Sequence, residues 1–143
     1  MEILKIRYEY LLQALASLQD SLNLMKDYSV LNDSKIYEMC SDSCIYRFKY
    51  SFDAFWKFIK LYLEECENIE LENNSPRYIF KTAENTEILL KHENLDILIQ
   101  ALSDRNLTSH SYNVEIAEKI VGHIPLYYQT MHLIITQLKL KIR

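Results

Sequence analysis

Glycine is almost missing from this chain: there is one in 143 residues, accompanied by only two prolines. Average usage is near ~7% glycine, and β-rich folds spend it freely at turns and bulges. So few residues able to take positive φ exclude a hairpin-rich fold and favour long helices. Cysteine is also scarce. Three residues, an odd number, make no disulfide framework. Cys40 and Cys44 stand one helical turn apart with Cys66 distant, which reads as reduced thiols used as small apolar side chains. There is no excess of positive charge. The formal net charge of −4 argues against a broadly basic nucleic-acid surface and leaves room only for a local patch. No run approaches the ~20 apolar residues of a membrane span. The start MEILKIRYEY carries Glu2 and Glu9 and lacks the apolar stretch of a secretory leader. A cytoplasmic protein with no membrane association is expected. Also lacking are a Gly-rich phosphate loop, a CxxC pair, an HExxH motif and any His/Asp/Glu cluster at metal-ligand spacing. The expectation is therefore no metal and no cofactor, and no nucleotidyltransferase chemistry within the chain itself.

What is present is apolar content, 49% hydrophobic against 25% charged residues, which excludes disorder. The length suits a single domain over residues 1–143. From Glu2 to Lys26, Leu4, Tyr8, Leu11, Leu15, Leu18, Leu22 and Met25 recur in steps of four and three, the pattern of a helix with one buried stripe. Tyr28 to Ser34 breaks the pattern, with Asn32, Asp33 or Ser34 available as N-cap. A second helix, Lys35 to about Cys66, carries Ile36, Cys40, Cys44, Phe48, Phe52, Phe55, Ile59, Tyr62 and Cys66, widened by Trp56 and Phe58. Such an aromatic row reads as packed core. Asp53 and Lys57 stand at i, i+4 and are expected to form a modest surface pair. Ser75-Pro76 marks a third helix start, with Ser as N-cap and Pro at the first helical position. A fourth helix begins near Glu93 or Asn94. A fifth runs from Val114 to about Lys141, with Ala117, Ile120, Val121, Ile124, Tyr128, Met131, Ile135 and Leu138 inward and a kink expected at Pro125. His92, His123 and His132 read as solvated or internally satisfied. The stripes must bury one another, giving an all-α, up-and-down bundle of about five helices around a four-helix core.

One constellation stands apart: Asp104-Arg105-Asn106-Leu107-Thr108-Ser109-His110-Ser111-Tyr112. It combines a fixed cation, an imidazole, an amide and hydroxyls, the parts needed to cleave RNA without metal. Arg neutralises a scissile phosphate with a planar fork of donors, and His moves the 2′-hydroxyl proton or protonates the leaving oxygen. Asn106 and His110, at i, i+4, would touch on a continuous helix. Arg105 and His110 are five residues apart, ~140° around a regular helix. They converge better if the helix unwinds within the motif or if a second copy supplies the partner group. The same polar residues also suit a helix end, with Thr108, Ser109, Ser111 and Asn113 in capping roles.

These residues resemble the nucleotidyltransferase substrate-binding proteins, a branch of the HEPN superfamily. Three ordered blocks carry the likeness: Ile45 to Lys57 with its Arg47-Phe48 and Trp56-Lys57 marks, Ser75-Pro76-Arg77, and Arg105 to Tyr112 in the form Arg-x-x-x-x-His-x-Tyr. The resemblance implies a HEPN-like helical bundle that forms a homodimer and works with a separate minimal nucleotidyltransferase protein. It further implies a toxin-like ribonuclease acting on RNA through Arg105 and His110, supported by Asn106. Tyr112 is then the site where the nucleotidyltransferase attaches adenylate. With Tyr112 buried near His110, that group would add bulk and charge against Arg105. Arg47, Trp56 and Ser109 are the implied substrate-binding residues. An alternative within the same family is a non-catalytic subunit that presents substrate to the nucleotidyltransferase.

Overall fold

The computed structural model describes residues 2–142. Six α-helices follow in order: α1 (Glu2–Leu24), α2 (Tyr28–Leu31), α3 (Ser34–Glu65), α4 (Pro76–Asn85), α5 (His92–Leu107) and α6 (Val114–Lys139), with a 3-10 turn at Thr108–His110 between the last two. Among the described residues there is no strand. The architecture is an all-α bundle, as the periodicity requires. The sixth helix is the four-residue α2, inside the segment expected only to break the chain.

The helix starts follow from capping chemistry. Asp33 accepts from the backbone N–H groups of Lys35 and Ile36 at 3.0 and 3.1 Å, and Ser75 accepts from Tyr78 at 3.2 Å with Pro76 opening the helix. Asn113 likewise accepts from Ile116 at 3.2 Å and starts α6. Each satisfies a donor that the first helical turn leaves without a partner. α6 runs uninterrupted through Pro125.

α3 is the spine, packed against every other helix, and α1 lies along it most extensively. Tyr8 meets Phe58, Ala14 O accepts from Ser51 at 3.1 Å, and Ser21 meets Ser43. Ascending numbers on α1 pair with descending numbers on α3, so the two helices are antiparallel. The core is aromatic where they converge on α4 and α6. Phe48 stacks on Tyr127 with ring centroids 5.5 Å apart, and Phe52 meets Phe80 edge-on at 5.8 Å. Such pairs contribute about 0.5–1.5 kcal/mol each beyond the area they bury.

Two register details differ from the sequence pattern. On α6 the buried positions include Tyr127, Thr130 and Ile134, while Tyr128, Ala117 and Val121 are half-buried. On α3, Ile36 at the first turn is 45% exposed, outside the buried stripe that it was expected to begin. Lacking glycine, the loops place other residues in left-handed backbone: Asn68 at φ 53°, Glu87 at φ 64° and Leu90 at φ 73°.

Candidate functional site

The last turn of α5 is held from two sides by two consecutive residues. Arg105 faces α3 and grips Asp53 with both arms of its fork: Nε donates to Oδ1 at 2.9 Å and Nη2 donates to Oδ2 at 2.8 Å. The expected Asp53–Lys57 surface pair is thus replaced, because Asp53's two oxygens accept from a residue far away in sequence. Hydrogen bonding to Asp53 raises the guanidinium pKa still further, so it stays charged throughout. Asp104 faces α6. Its side chain is only 3% exposed. Oδ2 accepts from the Tyr127 hydroxyl at 2.5 Å and lies 2.7 Å from His123 Nδ1. Burial, then the bond to Asp104, push the Tyr127 phenol well above its ordinary range, so it remains a protonated donor. A buried carboxylate needs such partners, and His123 and Tyr127, at i, i+4 on α6, supply them.

Beyond Leu107 the helix tightens. Thr108 Oγ donates back to Arg105 O at 2.7 Å, and Ser109 Oγ to Asn106 O at 3.3 Å. His110 and Tyr112 follow on the outside of the corner, their rings 6.1 Å apart. Tyr112 is 83% exposed, which corrects the expectation that it would be buried. The corner closes through Asn113 and restarts as α6, so no element covers the phenol. On ideal helix geometry the 3-10 turn does not rotate His110 toward Arg105. Two α steps and three 3-10 steps turn the chain by roughly 560°, leaving the pair ~160° apart. Nor, among the described residues, does a hydrogen bond join Asn106 to His110, because the continuous helix that would stack them ends at Leu107.

The expected site residues therefore fall into separate places. Arg105, Asn106 and Trp56 share one shallow depression of about 290 Å³ with Asp53 and Lys57. Tyr112 lines another, of about 470 Å³, with Tyr37, Glu38, Asp42 and Glu118. Asp42 and Asp53 are eleven residues apart on α3, roughly 16 Å along the helix. Arg47 is committed to the fold, donating from Nη1 to Ser17 O on α1 at 2.7 Å. Ser109 is exposed within the 3-10 turn. Asp53, His123 and Tyr127 were not among the expected site residues. The i, i+4 spacing of His123 and Tyr127 was a usable signal; the Asp53 contact had none.

The family model for nucleotidyltransferase substrate binding protein like sequences matches residues 6–140. The chain belongs to this family. A crystallographically solved protein from Thermus thermophilus is similar in sequence and fold, with 32% identity and a TM-score of 0.67, covering 85% of this chain and 98% of its own. Among curated proteins none matches significantly. The family's name associates its members with a nucleotidyltransferase, and the all-α bundle is shared with the solved relative. Among the described residues no helix is long and apolar enough to cross a membrane, and no group of three or more His, Cys, Asp or Glu is placed to hold a metal ion.

Proposed function

We propose that this family member is the helical partner of a separate minimal nucleotidyltransferase, and that as a homodimer it is a metal-independent, toxin-like ribonuclease of the HEPN type in the cytoplasm. The observation that supports this most directly is the contrast within one motif: Arg105 is locked in a two-point grip while His110 and Tyr112 stand open to solvent. A guanidinium carries five N–H donors. Asp53 uses two of them, and the rest remain to meet a phosphate. Because Arg105 and His110 diverge within one copy, the productive site combines Arg105 of one protomer with His110 of its twofold mate.

In this arrangement one His110 removes the ribose 2′-hydroxyl proton and the freed oxygen attacks the adjacent phosphorus. The bond to the 5′ oxygen breaks, the second His110 protonates that oxygen, and a 2′,3′-cyclic phosphate is left. Arg105 stabilises the added charge on the phosphoryl oxygens, and Asn106 lines the same depression. The exposed Tyr112 hydroxyl attacks the α-phosphate of ATP bound to the nucleotidyltransferase, pyrophosphate leaves, and the adenylate blocks the site by bulk and by pairing with Arg105.

The test is cleavage of total RNA by the purified chain beside His110→Ala. Loss of cleavage in the variant with an unchanged thermal melt is the expected result, and equal inactivity of both proteins rejects ribonuclease function. Co-expression with the nucleotidyltransferase should add the mass of adenylate to Tyr112 and not to Tyr112→Phe. A second reading, a non-catalytic subunit presenting substrate, is favoured by half-buried Trp56 and neighbouring Lys57 beside Arg105. It requires a stable complex with the nucleotidyltransferase, so failure of the two proteins to co-elute counts against it.

A further inference from the structure

Three shallow depressions adjoin around the second half of α3, two of them against α1 and the third against the start of α4 and the end of α5. Their volumes are about 470, 270 and 290 Å³, and Lys57 lines all three. Arg7 joins the first two, Trp56 the last two, and Tyr10 edges the first. Together they form one trough, which Arg105 borders at the level of Asp53. Between Tyr50 and Glu64 it follows α3 for fourteen residues, roughly 21 Å, longer than a single nucleotide.

Its charge is opposite to that of the chain as a whole. Of the two carboxylates lining it, Asp53 is taken by Arg105, and Glu64 lies 3.1 Å from Lys60. Among the described residues neither Arg7 nor Lys57 has a carboxylate partner, and both are exposed. A protein of net charge −4 thus keeps two uncompensated cations in one concave strip. Aromatic rings line the same strip. Trp56 is half-buried with Lys57 Nζ 5.8 Å from its ring centre, and Tyr10 is 59% exposed. Cations that follow a phosphate backbone, together with rings on which bases stack, are the parts of a single-strand binding groove.

We propose that this trough binds single-stranded RNA, with Arg7 and Lys57 on successive phosphates and Trp56 under a base, and delivers the strand to Arg105. The choice of RNA rests on the ribonuclease reading above; the binding surface rests on the trough itself. Lys60, tied to Glu64, contributes less than Lys57.

The experiment measures fluorescence anisotropy of a short labelled oligouridylate on the full chain carrying His110→Ala, so that nothing is cleaved. Binding should weaken as salt rises, and Lys57→Glu and Arg7→Glu should each reduce affinity about tenfold and flatten the salt slope by about one. Trp56→Ala should also cost about tenfold. Lys35→Glu, the same change of charge at the far end of α3, should bind as the parent does. Affinity of Lys57→Glu within twofold of the parent overturns the proposal. So does competition by ATP as strong as by unlabelled oligomer, which makes the ligand a nucleotide, or conversion of a dimer to a monomer by Lys57→Glu, which makes the trough a subunit contact. Cleavage by the chain with His110 intact separates the two ideas. RNA cut while the trough variants bind normally defeats the trough alone; RNA held in the trough but never cut defeats ribonuclease function and leaves the binding site standing.

Discussion

Asp104 and Arg105 differ from His110 and Tyr112 in how the fold treats them, although all four lie within one short stretch. The first two are gripped by α6 and α3 through bonds of 2.5–2.9 Å. The second two project from a 3-10 corner, exposed to solvent, with their rings 6.1 Å apart. The difference separates positioning from reactivity. A phosphate-binding cation gains from rigidity, since its geometry is set before substrate arrives. A group that must move protons or be modified gains from access.

The sharpest way to break this contrast is Asp104→Ala. It leaves the buried Tyr127 hydroxyl without its acceptor and should lower stability by about 2–4 kcal/mol in a urea titration. A loss much below ~1 kcal/mol would mean that α5 is not anchored there. Asp53→Ala comes next. That pair is part-exposed, so the expected loss is about 1 kcal/mol; the larger effect should be loosening of Arg105, seen as faster amide exchange in the last turn of α5. His110→Ala and Tyr112→Phe should each change stability by less than ~0.5 kcal/mol, in line with exposed side chains. The smallest effect concerns His92 at the start of α5. Its Nδ1 lies 2.7 Å from Glu84 Oε1 at the end of α4, and that hydrogen bond raises the imidazole pKa above its ordinary 6.5. A raised pKa in the folded state contributes stability that is complete below the unfolded value and fades as pH climbs through the folded value. Wild type should therefore lose a small increment across that window that His92→Gln does not lose, measured by melts at successive pH.

The all-α fold was legible because it is written in local rules. Ser75-Pro76 starts a helix whatever surrounds it, and Asp33 stood among three named caps. Long apolar stripes on α1 and α3 admit one buried face. The register of α6 was less clear, since adjacent Tyr127 and Tyr128 both fit a helical period. What decides is Asp104, whose carboxylate rewards the tyrosine able to reach it. α2 was missed because four residues are too few to show a period. At the candidate site, Arg105 was singled out by motif, but Asp53, which it grips, was paired with Lys57. Lys57 is near Asp53 in sequence, whereas Arg105 reaches it only after α4 and α5 have folded back on α3. Tyr112's exposure was likewise invisible, because it depends on which way the corner turns before α6 resumes.

The loop between α4 and α5 holds Leu90 at φ 73°, in backbone that a side chain with a Cβ occupies at a cost of roughly 1–2 kcal/mol. Leu90 is 44% exposed, so its packing repays little of that. Replacing it with glycine would remove the steric conflict at the hinge that leads into α5, and a natural chain this poor in glycine thus leaves open a direct route to a sturdier engineered version.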